Sequence, residues 1–409
     1  DRPMTGAGRP GARGAFGSRL WISPLDFAFG FRLWISMEHL MSELPDRLAR
    51  LNDSLAGLGI DALLVTDEIN VRYLSGFTGD SSYLLVTARE TAILSDGRYE
   101  AQIAEQCGYL PCFVRPPSES LSDLTERVLN ELIAPGDTRR KVGLEAEHLS
   151  MSAYQLFAER CGEIDFVATS GIVESLRMVK DPQEIEVTRH AVRLAERAFE
   201  SLLPMLTPGC SERQVAHELE AKMRLLGAEG CSFAPIVAFG AAGALPHYEP
   251  TDRLLEDAPT ILIDWGAKLG GYASDLTRTL HRNSASAEFR RCYEAVLESQ
   301  LAAIEAIGPG VAASDVDRAA RAVLQGAGLG AAFKHGLGHG VGLQIHESPR
   351  LSSSSDETLA AGMIVTVEPG VYFDGDFGIR IEDDVLVTDS GCEVLSRLPK
   401  GLDDCRFML

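Results

Sequence analysis

The sequence predicts an α+β fold in two parts, a smaller α/β domain followed by a larger mixed domain. Three observations predict it. From Glu38 to about residue 172 an amphipathic helical pattern leads into short apolar runs, Asp61-Ala-Leu-Leu-Val-Thr, Ser82-Tyr-Leu-Leu-Val-Thr and Thr91-Ala-Ile-Leu-Ser, punctuated by turn residues. At Asp181-Pro-Gln-Glu a helix start is legible: Asp181 can cap, Pro182 suits the first turn, and Glu184 completes a capping box before a helix through Ile185, Val192, Leu194 and Phe199. The remainder, to about residue 397, mixes helical patterns at 212–227, 286–306 and 313–327 with strand patterns near 233–239, 260–267, 271–280, 363–368 and 379–387. That mixture lacks the regular strand-helix alternation of a dinucleotide fold. The expected organisation is a segment 1–36 outside the fold, an α/β domain at 37–172 and a second domain at 173–409.

Composition narrows the function classes. The chain has 409 residues, enough for two or three domains, and 45% hydrophobic content, enough for a sizeable core. With 59 acidic against 38 basic side chains the net charge is -21, which repels phosphate backbones and anionic lipid, so nucleic acid and membranes are excluded as expected partners. No run approaches the roughly 20 apolar residues of a membrane-spanning helix. The eight cysteines are scattered, with no CxxC pair, and read as reduced thiols of a cytoplasmic protein.

The first 36 residues stand apart. They carry five Arg, two Asp, no Lys and no Glu, and they repeat Arg-Leu-Trp-Ile-Ser at 19–23 and 32–36. A targeting peptide would share the arginines, but Pro24, Asp26 and Arg32 break the apolar part. The segment is expected to be an extrinsic, disordered extension before Met37.

The chemistry concentrates in three clusters. In Thr260-Ile-Leu-Ile-Asp-Trp and Gly271-Tyr-Ala-Ser-Asp-Leu-Thr-Arg, two strand-like segments flank Lys268-Leu-Gly-Gly, and a symmetric hairpin would set Asp264 directly opposite Asp275. Opposed like charges destabilise a sheet, and Ile-Leu-Ile marks this strand as buried. A bound cation would resolve the conflict; solvent-facing turn acids are the alternative. The second cluster, His335-Gly-Leu-Gly-His-Gly-Val-Gly-Leu-Gln-Ile-His-Glu, surrounds His339 with glycines that would let backbone approach a ligand. It lacks the Lys-Ser/Thr of a phosphate loop, so His339 reads better as a metal ligand. In the third, Met363-Ile-Val-Thr-Val-Glu-Pro-Gly-Val-Tyr and Gly378-Ile-Arg-Ile-Glu-Asp-Asp, Glu368 and Glu382 interrupt β-branched runs and so should face inward. Strand alternation puts Arg380 on the face of Glu382 and Asp383 on the other, which leaves Glu382 open as either a ligand or a partner of Arg380.

From about Gly171 to Ser396 these motifs resemble the pita-bread metallopeptidases, in particular the aminopeptidase P and prolidase branch. Tyr73-Leu-Ser-Gly-Phe and Asp96-Gly-Arg-Tyr resemble that branch's creatinase-type amino-terminal domain. The resemblance implies five metal ligands, Asp264, Asp275, His339, Glu368 and Glu382, with Asp275 and Glu382 bridging two ions. It also implies that His247, in Ala244-Leu-Pro-His-Tyr, and His346 act on the substrate carbonyl, and that His335, Tyr372 and Arg380 support the site from behind. On the residues alone, His247 could equally be an ordinary loop histidine. One departure is visible: the stretch before the Pro-His motif reads Phe239-Gly-Ala-Ala-Gly-Ala-Leu, where family members often carry Ser-Gly and Asn-Ser.

Four carboxylates and one imidazole form an oxygen-rich site suited to Mn²⁺, with Co²⁺, Fe²⁺ or Zn²⁺ also compatible. Two ions suit four buried carboxylates better than one, which would leave the site strongly negative. Paired ions can acidify a water and bind the oxyanion formed on attack. Glu368 is then the expected general base, passing the proton on to the leaving nitrogen. The implied reaction is hydrolysis of the Xaa-Pro bond at the amino terminus of proline-containing peptides, with a dipeptide-restricted prolidase as the alternative and a homodimer as the expected assembly. A methionine aminopeptidase is disfavoured by the long α/β domain. A protein-binding pseudoenzyme would show lost ligands, and all five residues are present.

Overall fold

The computed structural model describes residues 37–133, 140–256 and 258–407. The extension expected at 1–36 lies outside them. The amino-terminal part is a six-stranded mixed sheet in the spatial order Cys112–Arg115, Thr91–Asp96, Tyr83–Thr87, Ala62–Val65, Arg140–Glu145, Ile164–Thr169. Alternation in Ala62–Val65 divides its two faces. Leu63 and Val65 pack with Leu51 and Leu55 of the helix Met37–Leu58 and with Val71 and Leu74 of Glu68–Ser75. Ala62 and Leu64 pack with Leu124 and Val128 of Leu121–Leu132 and Phe157 of Met151–Arg160. A four-residue strand thus buries both faces, as a central strand covered by helices must.

The helix expected after Asp181 runs Pro182–Leu202. Asp181 Oδ1 accepts from the amides of Gln183 and Glu184 at 2.9 Å, and Glu184 Oε2 accepts from the Asp181 amide at 2.9 Å, so both halves of the capping box are made. This helix and Glu212–Leu225, with Ala287–Ala306 and Ala313–Gly326, surround a continuous apolar core. Within that core Trp265 stacks on Phe199 at 4.4 Å and donates its indole N–H to the Ala195 carbonyl at 3.0 Å.

Small sheets fill the carboxy-terminal part. Leu276–His281, Thr260–Trp265 and Ile236–Phe239 form one; Glu347–Leu351, Gly338–Gly340, Ile364–Val367, Asp383–Thr388 and Gly391–Val394 form another. Gly370–Phe373 pairs with Phe377–Arg380, and a single bridge, Thr277 to Glu382, ties the first sheet to the second. Three expected strands are each broken in two, the 260–267 run at Gly266 between Thr260–Trp265 and Ala267–Leu269. The 271–280 run divides into Tyr272–Ala273 and Leu276–His281, and the 379–387 run falls into Phe377–Arg380 and Asp383–Thr388.

The hairpin register also differs from the symmetric expectation. Asp264 pairs with Thr277, and Asp275 lies two residues short of that partner. The cause is the turn: Gly270 and Gly271 have φ of 56° and 83°, and Leu269 pairs with Tyr272, so the two glycines alone form the loop. Two successive positive φ angles are the type I′ geometry that matches strand twist. A shift of two residues preserves the face, so Asp264 and Asp275 still look the same way. The glycines around His339 also serve a different purpose from the expected approach to a ligand. A Cβ on Gly338 would lie 2.1 Å from the Thr366 carbonyl oxygen, and one on Gly340 2.2 Å from that of Ser348, so these glycines let neighbouring strands close on one another.

The turn assignment yields a stability prediction. Gly271→Ala places a Cβ at positive φ and 2.5 Å from the Arg72 guanidinium carbon. It should cost about 1–2 kcal/mol and lower the melting temperature by a few degrees. Gly270→Asn, the residue type favoured at the first position of this turn, brings a Cβ to 3.1 Å from Val187 Cγ1 and should still cost less than Gly271→Ala, by about 0.5 kcal/mol or more. Equal losses in thermal melts of the two variants would contradict the type I′ assignment.

Candidate metal centre and active site

The strand breaks are where the acids sit. Asp275 occupies the gap before Leu276–His281, Glu382 the gap before Asp383–Thr388, and Glu368 follows Ile364–Val367 directly; Asp264 alone lies inside a strand. Asp264, Asp275 and Glu382 bring ligand atoms within 4.8 Å of one another. His339 faces them, with Nε2 3.7 Å from Asp275 Oδ2 and 3.5 Å from Glu368 Oε1. Its Nδ1 lies 3.0 Å from the Gly340 carbonyl. That contact assigns the proton to Nδ1 and leaves the Nε2 lone pair pointing at the carboxylates.

Burial without enough counter-charge dominates the electrostatics. Asp275 and Glu382 are pushed well above the usual carboxylate range, first by burial and then by the neighbouring acids. Glu368 is pushed up to about 8 by burial, and Asp264 is raised for the same reason although Arg380 pulls it back. His339 is pushed down to about 4 by burial and is neutral at pH 7. Asp264 Oδ1 and Glu382 Oε1 are buried and accept no hydrogen bond. Orphaned carboxylate oxygens beside an unprotonated imidazole nitrogen are the donor set a divalent cation needs, so these residues fit a metal.

Behind the acids runs a hydrogen-bonded chain. Arg380 pairs with Asp264 through Nη2 and donates through Nη1 to the Tyr372 hydroxyl at 2.9 Å. The hydroxyl lies 2.9 Å from His335 Nε2, and His335 Nδ1 lies 2.7 Å from the Gly336 carbonyl. Burial first, then Arg380, pushes His335 down to about 4, so the ring is neutral and accepts the Tyr372 proton. The carboxylate partner of Arg380 is therefore Asp264. Glu382 instead accepts from Thr277 Oγ1 at 2.6 Å, and Arg380 Nε donates to that same oxygen at 3.2 Å. Asp383 points the other way, as alternation requires, into a buried pair with Arg278 at 2.8 Å.

All ten residues singled out from the sequence line a single cleft of about 890 Å³. Asp264, Asp275, His339, Glu368 and Glu382 share it with His335, Tyr372 and Arg380, and His247 and His346 are exposed on it. The His346 ring meets His339 edge-on at 4.4 Å, and burial followed by Arg350 lowers its pKa. Sequence reasoning missed several supporting groups. Thr277 holds Glu382, Thr366 Oγ1 accepts from the His339 amide at 3.1 Å, and Asp384 Oδ2 accepts from the Asp275 amide at 3.0 Å. Only Thr277 left a signal, two residues from Asp275 on the same strand face.

Known proteins share this arrangement of chain. Residues 186–389 match metallopeptidase family M24, and residues 47–179 match the creatinase/prolidase amino-terminal domain. The Xaa-Pro dipeptidase of Pyrococcus furiosus is 33% identical over 359 residues, covering 88% of this chain and 100% of its own. Among solved structures, an Xaa-Pro dipeptidase from Bacillus anthracis superposes with a TM-score of 0.83 at 36% identity, covering 88% of this chain and 99% of that one. The X-Pro aminopeptidase from Thermotoga maritima does so with a TM-score of 0.79 at 34% identity, covering 89% and 100%. Its carboxy-terminal half is thus a pita-bread catalytic domain behind a smaller α/β creatinase-type domain, and the chain belongs to metallopeptidase family M24, in the Xaa-Pro peptidase branch.

Proposed function

We propose that the chain is an exopeptidase that hydrolyses the Xaa-Pro bond at the amino terminus of peptides, with two divalent ions, most suitably Mn²⁺, held by Asp264, Asp275, His339, Glu368 and Glu382. The observation that carries this reading is the cleft floor itself, where orphaned buried carboxylate oxygens face an unprotonated imidazole nitrogen. Similarity to proteins named Xaa-Pro dipeptidase and X-Pro aminopeptidase supports the substrate class. A cleft of about 890 Å³ is near the upper end for ligand sites and has room for a peptide running past proline. A second reading, restriction to Xaa-Pro dipeptides, draws on Lys334 and Arg350, cationic groups on the lining that could pair with a terminal proline carboxylate. The eight free cysteines support a reducing, cytoplasmic setting.

When bound, the ions would supply Lewis acidity, acidifying a water and drawing electron density from the scissile carbonyl. The chain's own groups do the rest. Glu368 takes the water's proton and returns it to the proline nitrogen, which leaves poorly as an anion. His247 and His346 donate hydrogen bonds to the carbonyl oxygen as charge develops there. Arg380, kept cationic by the surrounding acids despite its burial, holds Asp264 in place and offsets part of the negative charge. The neutral His335 fixes the Tyr372 hydroxyl and so the outer side of Arg380.

The test is a substrate panel on Mn²⁺-reconstituted protein. Xaa-Pro-Yaa tripeptides should be cleaved, Met-Ala peptides should not, and cleavage of Xaa-Pro dipeptides alone would transfer the assignment to the second reading. Variants then separate proton transfer from carbonyl polarisation. Glu368→Gln should lower metal content and cut turnover by roughly 10² to 10⁴-fold. His247→Ala should keep full metal content while losing roughly 10² to 10³-fold in kcat. Metal analysis beside steady-state kinetics decides it: a His247→Ala enzyme that lost its metal, or kept wild-type turnover, would remove His247 from the substrate role.

A further inference from the structure

We infer that Glu212, which takes no part in the cleft lining, is the positioning residue that sets His247 over the cleft, an inference that rests on the substrate role proposed for His247. Glu212 opens the helix Glu212–Leu225 and is 0% exposed. Its carboxylate gathers four donors from both ends of one loop. Oε1 accepts from the Phe239 amide at 2.9 Å; Oε2 accepts from the Tyr248 hydroxyl at 2.8 Å, the Thr251 hydroxyl at 2.7 Å and the Thr251 amide at 3.1 Å. Phe239 and Tyr248 bracket residues 240–247, so a single buried side chain closes the loop that ends in His247. The backbone of the same helix end adds two more ties, the Glu212 amide to the Arg253 carbonyl at 3.1 Å and the Arg213 amide to the Thr251 carbonyl at 3.0 Å.

The loop's own side chains are small. Residues 240–244 read Gly-Ala-Ala-Gly-Ala; Ala242 packs with Ala238 and Leu262, and Tyr248 lies against the same cluster. The loop also offers backbone: a Cβ on Gly378 would lie 1.8 Å from the Gly243 carbonyl oxygen, so the loop rests on the strand Phe377–Arg380 that carries Arg380. Beyond that support, His247 is exposed, and an exposed ring takes its place from its own backbone. Tyr248, its neighbour, is fixed through its hydroxyl to Glu212. Charge-assisted hydrogen bonds to a buried carboxylate are strong and directional, and a carboxylate with four donors is satisfied only in this one geometry of the loop.

A double-mutant cycle in the Mn²⁺-loaded enzyme tests the inference, using Glu212→Gln and His247→Ala on an Xaa-Pro-Yaa tripeptide, with metal content and melting temperature recorded for each. Glutamine preserves shape but turns one oxygen into a donor, which opposes either Phe239 or the three donors on the other side. Glu212→Gln alone should lose roughly 10- to 10²-fold in kcat at full metal content, the scale of a misplaced catalytic group. In the His247→Ala background the same change should cost less than about 2-fold, because the group it positions is gone. A merely structural role would lower the melting temperature and cost the same factor in both backgrounds, and that result overturns the inference. Should Glu212→Gln fail to fold, Tyr248→Phe and Thr251→Val, each removing one hydroxyl donor, carry the same cycle with the same expected non-additivity. If His247→Ala itself retained wild-type turnover, the substrate role and the inference would fall together. Additive losses alone would sink only the positioning role and leave His247 in place.

Discussion

Four carboxylates against one cleft wall, Asp264, Asp275 and Glu382 buried and Glu368 half-buried, are the constraint from which the rest of this structure follows. Like charges at such separations repel strongly in a medium that screens them poorly, and burial adds a desolvation penalty to each. Among the described residues one buried cation stands at the cluster, Arg380, and it is paired with Asp264. The nearby imidazoles, half-buried His335 and buried His339, are no help, since desolvation keeps both neutral. What remains is a set of acids whose pKa values are driven upward, with Asp264 Oδ1 and Glu382 Oε1 accepting no hydrogen bond. In the function proposed for the chain, a pair of divalent ions would convert that liability into a binding site, and the same unsatisfied oxygens that destabilise the metal-free chain would give the site its affinity.

The fold meets the constraint by ending strands where the acids are. A continuous strand would alternate its side chains and pair each acid with a cross-strand neighbour; the breaks at Asp275 and Glu382 and the stop at Glu368 free those side chains to converge. Convergence requires the first sheet to meet the second, which the Thr277 to Glu382 bridge provides, and strands within the second to close on one another, which the side-chain-free Gly338 and Gly340 allow. The tightly packed interior beneath, with Trp265 stacked on Phe199 behind Asp264's own strand, keeps the acids from relaxing apart.

Much of this was legible in the sequence because acids interrupting β-branched runs conflict with burial, and such conflicts mark functional positions. The helix starting at Asp181 was legible for a local reason, a capping box confined to four residues. The hairpin register was misread because the hydrophobic pattern fixes only which face a residue takes. The turn fixes which residues pair, and Gly270-Gly271 was the signal for it. The clasp at Glu212 and the support from Asp384 left no local trace, and Thr277 left only its place two residues from Asp275, since their partners lie far along the chain. Thr277 meets Glu382 across 105 residues and Asp384 meets the Asp275 amide across 109. A buried Glu at a helix start reads locally as an ordinary first-turn acid.

The most direct test of the central claim is calorimetric titration of Mn²⁺ into metal-stripped protein at pH 7 in buffers of different ionisation enthalpy. Glu368, pushed up to about 8 by burial, holds a proton at that pH in the metal-free chain, burial and the neighbouring acids raise Asp275 and Glu382 in the same direction, and metal binding must displace the Glu368 proton. The account predicts about two ions bound per chain, proton release that shows as buffer-dependent heat, and affinity that weakens as pH falls. Binding without proton release, or one ion per chain that Asp275→Asn leaves unaffected, would contradict it.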